Sequence, residues 1–214
     1  MSPQPAGEHY FAATPHSESS TRELTVSIAG RDFRVTTAHG VFSGHGLDKG
    51  TEVLLRKVPS LPSSSELGGS GVLVDVGCGW GPLALTLAAE RPSAQVYAVD
   101  VNTRALELTS ANAAANGLTN IQALSEAEAF ATLGPNSVDV IWSNPPVRVG
   151  KAALHAMWEA WRTRLKPEGV AYLVMGRNLG SDPFLAYLNE HGWAGEKIAS
   201  SKGFRVLQLR RGAA

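Results

Sequence analysis

Two short segments carry residues whose types and spacing suit chemistry on a bound nucleoside. The first is Val74-Asp-Val-Gly-Cys-Gly-Trp-Gly-Pro82. Its glycines, Gly77, Gly79 and Gly81, remove the Cβ that would keep a ligand from the backbone. An apolar run precedes the loop and a helical pattern follows it, so helix-start N–H groups should lie beside any ligand. Asp100 closes the next apolar run, 23 residues after Gly77. An acid at that place can accept hydrogen bonds from both hydroxyls of a ribose. The spacing is G-x-G-x-G, not the G-x-G-x-x-G of dinucleotide sites, and Asp75 stands two residues before the first glycine. A carboxylate there repels a pyrophosphate; it attracts a cation, directly or through water, or holds the loop. S-adenosylmethionine carries an ammonium and a sulfonium and no phosphate, so the segment points to it rather than to NAD.

The second segment is Ser143-Asn144-Pro145-Pro146-Val147, directly after another apolar run. Methylating a planar amine requires its delocalised lone pair to be aimed at the methyl. An Asn side-chain oxygen and a Pro carbonyl, accepting from the NH₂, would aim it, and two prolines hold that carbonyl in place. Such a corner works by orientation and preorganised electrostatics, without a strong general base. Ligands of open α/β sheets bind at the carboxyl ends of the strands, so both segments should face one crevice.

Other candidates have plainer readings beside the functional one. Asn102 suits a helix N-cap and can touch a cofactor as well. Ser125 and Glu126 follow a short apolar run where the adenine should lie, with Glu128 as an alternative acid. Cys78 is the only cysteine, flanked by glycines, and reads as a spectator. Trp158 and Trp161 lie on one helical stripe with Leu154, Met157 and Leu165, which favours core over base stacking.

The elements that must position these residues follow from periodicity. Leu24–Ile28 and Phe33–Thr37 alternate apolar and polar residues around Ala29-Gly-Arg-Asp32, as in a β-hairpin. A helix is expected over 48–58 with Asp48 as its N-cap, and 59–71 reads as a Pro/Ser/Gly linker. From residue 71, strands over 72–76, 95–100, 121–124, 137–143 and 170–175 alternate with helices after residue 82, over 102–117, 151–165 and 183–191. Strands over 194–200 and 204–209 are joined too closely for a parallel crossover. The fold class is therefore α/β: a Rossmann-like, mostly parallel seven-stranded sheet with an antiparallel terminal hairpin, plus a small N-terminal β-hairpin. Residues 1–20 form a tail. The domain then runs over 21–214, with a hairpin-and-helix extension at 21–60 and the core at 71–214.

Composition narrows the class. With 214 residues and 43% hydrophobic content the chain can bury a full core. No apolar run reaches membrane-span length and the first 20 residues lack a signal-like apolar stretch, so a cytoplasmic location is expected. No metal site is expected. Net charge is zero, but residues 1–141 carry 8 Lys/Arg against 14 Asp/Glu, and residues 142–214 carry 11 against 5. The basic C-terminal part suits a polyanion, or is an uneven solvated surface.

Together the two segments resemble the class I S-adenosylmethionine methyltransferases. His9-Tyr-Phe11, Gly40-Val-Phe-Ser43, Leu47-Asp-x-Gly-Thr51 and Gly203-Phe-Arg-Val206 narrow the likeness to the MTS-domain family, from about His9 to Leu209. That family includes ribosomal RNA guanine-N2 methyltransferases and shorter stand-alone relatives, which this length resembles. The resemblance implies that Gly77 and Gly79 border the methionine part, Asp100 the ribose, and Asn144 and Pro145 the target amine. It also implies that Val41–Ser43 folds over the cofactor, with Phe42 either covering it or packing. One departure stands out. Amine methyltransferases often follow the two prolines with an aromatic residue that stacks on the base; here Val147 has no π-face, and Arg148 would stack by its guanidinium or bind phosphate. The substrate reading is thus an exocyclic amine, guanine N2 of ribosomal RNA first. A protein glutamine amide or small metabolite, and a non-catalytic RNA- or protein-binding fold, are the alternatives.

Overall fold

A computed structural model of the chain describes residues 21–38, 40–41, 43, 46–146 and 149–212. The expected tail over 1–20, and Phe42, Val147 and Arg148, lie outside the described residues.

Two layers of helices cover one seven-stranded sheet. Its strands are β3 (Val72–Val76), β4 (Gln95–Val99), β5 (Ile121–Leu124), β6 (Val138–Ser143), β7 (Leu165–Gly176), β8 (Trp193–Ser201) and β9 (Phe204–Arg211). They lie in the order β5-β4-β3-β6-β7-β9-β8. The first five are parallel, while β9 runs antiparallel to both β7 and β8. The chain winds outward to β5, then starts again on the other side of β3 with β6. This reversal opens a crevice beyond the carboxyl ends of β3 and β6, where the two chemical segments begin.

Helices α4 (Glu126–Thr132), α5 (Lys151–Arg164) and α6 (Ser181–Glu190) cover one face; α1 (Lys49–Lys57), α2 (Pro82–Glu90) and α3 (Thr103–Ala115) belong to the other. Trp158 and Trp161 are fully buried in the core beneath α5, where the Trp161 ring meets the Phe130 ring edge-on at 5.0 Å. No base can reach these rings.

The N-terminal hairpin pairs β1 (Thr21–Ile28) with β2 (Arg31–Ala38). Only Ala29 and Gly30 form its turn, both at positive φ, so the connection is two residues long and not four. Such a turn matches the strand twist best. The hairpin docks on α3 through two asparagines one helical turn apart. Asn112 Oδ1 accepts from Thr36 N–H at 2.7 Å and its Nδ2 donates to the Thr36 carbonyl at 3.0 Å; Asn116 does the same for Arg34 at 3.0 and 2.7 Å. Each amide thereby stands in for a strand neighbour along the β2 edge.

Three segments differ from expectation. The stretch 59–71 is anchored, since Leu61 and Leu67 are buried and the Arg91 guanidinium donates to the Leu61 and Pro62 carbonyls. Strand β7 begins at Leu165, because Lys166-Pro-Glu-Gly169 reads as a turn but is absorbed as an irregularity opposite Val138–Val140. Helix α4 stands where periodicity predicts no element.

Candidate active site

Strands β3 and β6 end side by side. Val76 pairs with Ser143, and the Ser143 hydroxyl donates to the Val76 carbonyl at 2.7 Å. The next residues, Gly77 and Asn144, therefore leave the sheet together. A Cβ on Gly77 would sit 3.6 Å from Pro146 Cδ and 3.8 Å from the Asn144 carbonyl oxygen, and φ there is +79°. Glycine is required by the backbone conformation and serves the close approach. Both segments line one cavity of about 490 Å³, which also touches Asp100, Asn102, Glu126, Met175 and Phe204.

The glycine loop is held from inside. Gly77 and Cys78 N–H both donate to the Val99 carbonyl, and Gly79 N–H donates to Asp100 Oδ2 at 3.0 Å. Asp100 Oδ1 accepts from Asn102 N–H at 2.9 Å. Burial pushes the Asp100 carboxyl up, against these hydrogen bonds. One face of the carboxylate thus fixes the loop while the residue still lines the cavity. Asn102 Oδ1 caps α3 by accepting from Arg104 N–H, and its Nδ2 donates to the Gly40 carbonyl. Both of its readings are compatible, since Asn102 also lines the cavity.

Asp75 is not in the large cavity. It is fully buried beneath the loop, where Oδ2 accepts from Ala84 N–H at 2.9 Å and Oδ1 has no partner among the described residues. Of the options the sequence left open, the geometry matches the loop-holding one. Asp75 also lines a water-sized recess of about 10 Å³ shared with Asn144 and Asp48. Burial pushes its carboxyl to about 8, with the Asp100 charge adding to the rise. Cys78 is buried, and burial with the nearby Asp100 and Asp75 carboxylates pushes its thiol up, opposite to what a nucleophile needs.

Ser125 likewise falls short of the cavity. It caps α4: its hydroxyl receives Glu128 N–H, and the Glu128 carboxylate returns to the Ser125 backbone N–H at 2.8 Å. Glu128 is thereby committed to the cap, and Glu126 alone of the pair faces the cavity, its carboxyl raised by burial.

Sequence reasoning missed the support of Asn144. Its Nδ2 donates to Asp48 Oδ2 at 2.9 Å and to Thr51 Oγ1 at 3.1 Å. Asp48 is the N-cap of α1, and the same oxygen accepts Gly50 and Thr51 N–H at 2.6 and 3.1 Å. A carboxylate only accepts, so the NH₂ end of Asn144 must face it. Both amide hydrogens are used, and among the described residues Oδ1 has no partner. Gly50 makes room for this contact: a Cβ there would sit 2.8 Å from Asp48 Oδ2 and 3.3 Å from Asn144 Nδ2. A glycine in the first turn of an otherwise ordinary helix was the available signal. Pro145 lines the cavity, and the Pro146 carbonyl accepts from Val149 N–H at 3.1 Å, closing the corner.

The donor set fits S-adenosylmethionine. A Cβ-free cradle lies beside an acid at the end of β4, a second acid, Glu126, lines the same cavity, and no cation of the kind that grips phosphate is among the described residues lining it. Among the described residues no cluster of three His, Cys, Asp or Glu could hold a metal ion, and no helix is long and apolar enough to cross a membrane.

Comparison with known proteins shows the family. Residues 32–208 match the family model of the methyltransferase small domain. The chain is 30% identical to the Bacillus subtilis protein YbxB over 205 residues, spanning 95% of this chain and 98% of that one. It is also 30% identical to ribosomal RNA small subunit methyltransferase C of Stutzerimonas stutzeri over 208 residues, spanning 94% of this chain and 58% of that enzyme. Among solved structures it is similar to the T. thermophilus 16S ribosomal RNA guanine-N2 methyltransferase RsmC, in complex with AdoMet (S-adenosylmethionine) and guanosine. The TM-score is 0.70 at 27% identity, covering 92% of this chain and 52% of that one. The chain thus spans just over half the length of the named methyltransferases it matches.

Proposed function

The chain belongs to the methyltransferase small domain family and is an S-adenosylmethionine-dependent methyltransferase; from that premise we propose that it methylates an exocyclic amine, the N2 of a guanine in ribosomal RNA. The orientation of Asn144 carries the reading. With both amide hydrogens bound to Asp48 and Thr51, Asn144 can offer the cavity only an acceptor oxygen. An acceptor at that wall selects a donor group, such as a base NH₂, over a carbonyl or a phosphate.

Gly77, Gly79, Asp100, Asn102 and Glu126 would hold the cofactor along the ends of β3, β4 and β5, with Asp75 stiffening the loop from below. When bound, the cofactor supplies an electrophilic sulfonium methyl. The chain's own residues then act on the amine. Asn144 Oδ1 and the Pro145 carbonyl accept hydrogen bonds from its two N–H groups and draw the nitrogen out of conjugation with the ring, and the one proton that the methylated nitrogen sheds passes to solvent once the product leaves. The rigid corner keeps both acceptors in register, so little reorganisation is left to the reacting state. The apolar wall of Met157, Val174, Met175 and Phe204 excludes water from the reacting nitrogen.

The relatives named as ribosomal RNA methyltransferases support RNA as the partner, as does the basic C-terminal part. The test is methyl transfer from tritiated cofactor to ribosomal RNA, and to assembled subunits, from cells lacking this chain. Label in N2-methylguanosine after nuclease digestion is expected. Label in a glutamine-containing peptide would replace RNA by protein, and absence of label with cofactor bound would point to a non-catalytic role.

A further inference from the structure

The Gly203-Phe-Arg-Val206 segment enters the chemistry so far only through Phe204 as part of the apolar wall, yet the fold brings it to the amine site. Phe204 opens β9, pairs with Gly176 at the end of β7, and lines the large cavity. The point where Gly50 lacks a Cβ is 3.0 Å from Phe204 Cε1 and 3.3 Å from Asn144 Nδ2, so the ring stands beside the amide. Sequence alone shows the site short of a π-face, because valine follows the two prolines. Phe204 supplies one from a different strand.

The same residue is also a wall of a second recess, a notch of about 270 Å³ at the β8–β9 turn. Three cations line it, Arg177, Lys202 and Arg205, together with the hydroxyl residues Ser200 and Ser201, and no carboxylate among the described residues does. Lys202 Nζ reaches Glu52 at 3.2 Å and Arg205 pairs with Asp182, but neither acid lines the notch. The Lys202 pair is exposed and weak enough to yield to a stronger anion. The Arg177 side chain is exposed. The rim of the cavity carries Leu179, an apolar side chain 56% exposed.

We propose that the β8–β9 turn and the end of β7 form the acceptor-nucleotide face: Phe204 stacks on the target base, and the Arg177–Lys202–Arg205 notch takes a phosphate of the same strand. An apolar ring that lines both the cavity of the amine acceptor and a recess whose charged residues are all cations matches the two ends of one nucleotide. Stacking holds a base without reading it, and a guanidinium fork suits phosphate. A protein substrate would need neither. The inference rests on the RNA reading above and adds where the strand lies.

The test uses the full chain, tritiated S-adenosylmethionine and ribosomal RNA from cells lacking the chain. The R177Q/K202Q double variant should raise KM for RNA by roughly tenfold. It should also flatten the salt dependence, by about 0.7 in the log–log slope for each phosphate no longer neutralised. F204A should lower kcat/KM by roughly 10- to 100-fold, F204Y should restore it and F204L, which keeps bulk without a π-face, should not. Cofactor affinity, measured by calorimetry, should stay unchanged in all four. If wild type labels RNA while the double variant keeps its KM and salt slope, or F204L equals wild type, this inference falls and the proposed function stands. If wild type labels peptide and no RNA, both fall.

Discussion

Asn144 Nδ2 lies 2.9 Å from Asp48 Oδ2, which ties the corner after β6 to the cap of α1, 96 positions earlier in the chain. Under the proposed function the N-terminal extension takes part in the site, since Asp48 and Thr51 fix which end of the Asn144 amide is left for the substrate. Asp48→Ala removes the bond and the cap together. The helix loses about 1 kcal/mol with its cap, while kcat should fall by roughly 10- to 100-fold as Asn144 becomes free to turn. Single-turnover methyl transfer, with cofactor affinity measured in parallel, checks this. An unchanged rate would remove Asp48 from the mechanism.

Gly50 gives a prediction in which two effects oppose. Ala in a helix is ordinarily more stable than Gly by roughly 0.5–1 kcal/mol. Here the new Cβ would meet Asp48 Oδ2 at 2.8 Å and the Phe204 ring at 3.0 Å. Both neighbours face the proposed amine site, and Asp48 is pinned by three hydrogen bonds, so the clash should win. G50A should fold, bind cofactor and transfer methyl groups at a rate at least roughly tenfold lower, since small misplacements of reacting groups are costly. Steady-state methyl transfer beside a thermal melt reads both effects.

The two neighbouring acids of α4 should separate cleanly. Glu126→Gln should weaken cofactor binding several-fold, because Glu126 faces the cavity. Glu128→Gln should leave cofactor affinity unchanged, as its carboxylate is turned back to the Ser125 cap. Isothermal titration of both variants distinguishes them; equal effects would contradict the assignment.

Asp75 should make stability depend on pH. Its carboxyl is raised from an ordinary 3.8 to about 8 by burial. Between those values the folded chain keeps a proton that the unfolded chain has released, so unfolding free energy falls as pH rises across that window. Below it both states are protonated and above it both are ionised, so this contribution is flat at either end. Asp75→Asn, which mimics the protonated form, should flatten this part of the profile in urea melts taken from pH 4 to 8. A wild-type profile that rises over the same window would contradict the burial argument.

Asn112 should be worth more to stability than its polarity suggests. Buried, it satisfies both the Thr36 backbone groups and, through Nδ2, the Trp80 carbonyl at 2.8 Å. Asn112→Ala leaves these groups unpaired and should cost about 1–3 kcal/mol by chemical denaturation. A loss below the error of the melt would show that the hairpin is held by its apolar face alone.

What the sequence made legible divides by range. The glycine loop, Asp100 and the Asn-Pro-Pro corner are local runs at strand ends, and strand–helix alternation alone places such ends along one edge of a parallel sheet. Asp48 was readable as a cap, but its second bond to Asn144 depends on how α1 packs, which no local pattern encodes. The ambiguity between Glu126 and Glu128 was soluble from sequence, because Ser125-Glu-Ala-Glu128 has the spacing of a capping box. Phe204 lies 60 residues beyond Asn144, and only the antiparallel return of β9 brings it to the site.

The central claim is that Asn144 presents an acceptor to a guanine amine. Mass spectrometry of nucleosides from ribosomal RNA of cells lacking the chain, incubated with cofactor and either wild type or N144A, tests it most directly. Guanosine carrying one added methyl on N2 is expected with wild type, and its loss is expected with N144A although the variant still binds cofactor. A methyl on a ring nitrogen or a ribose, or full activity in N144A, would contradict the claim.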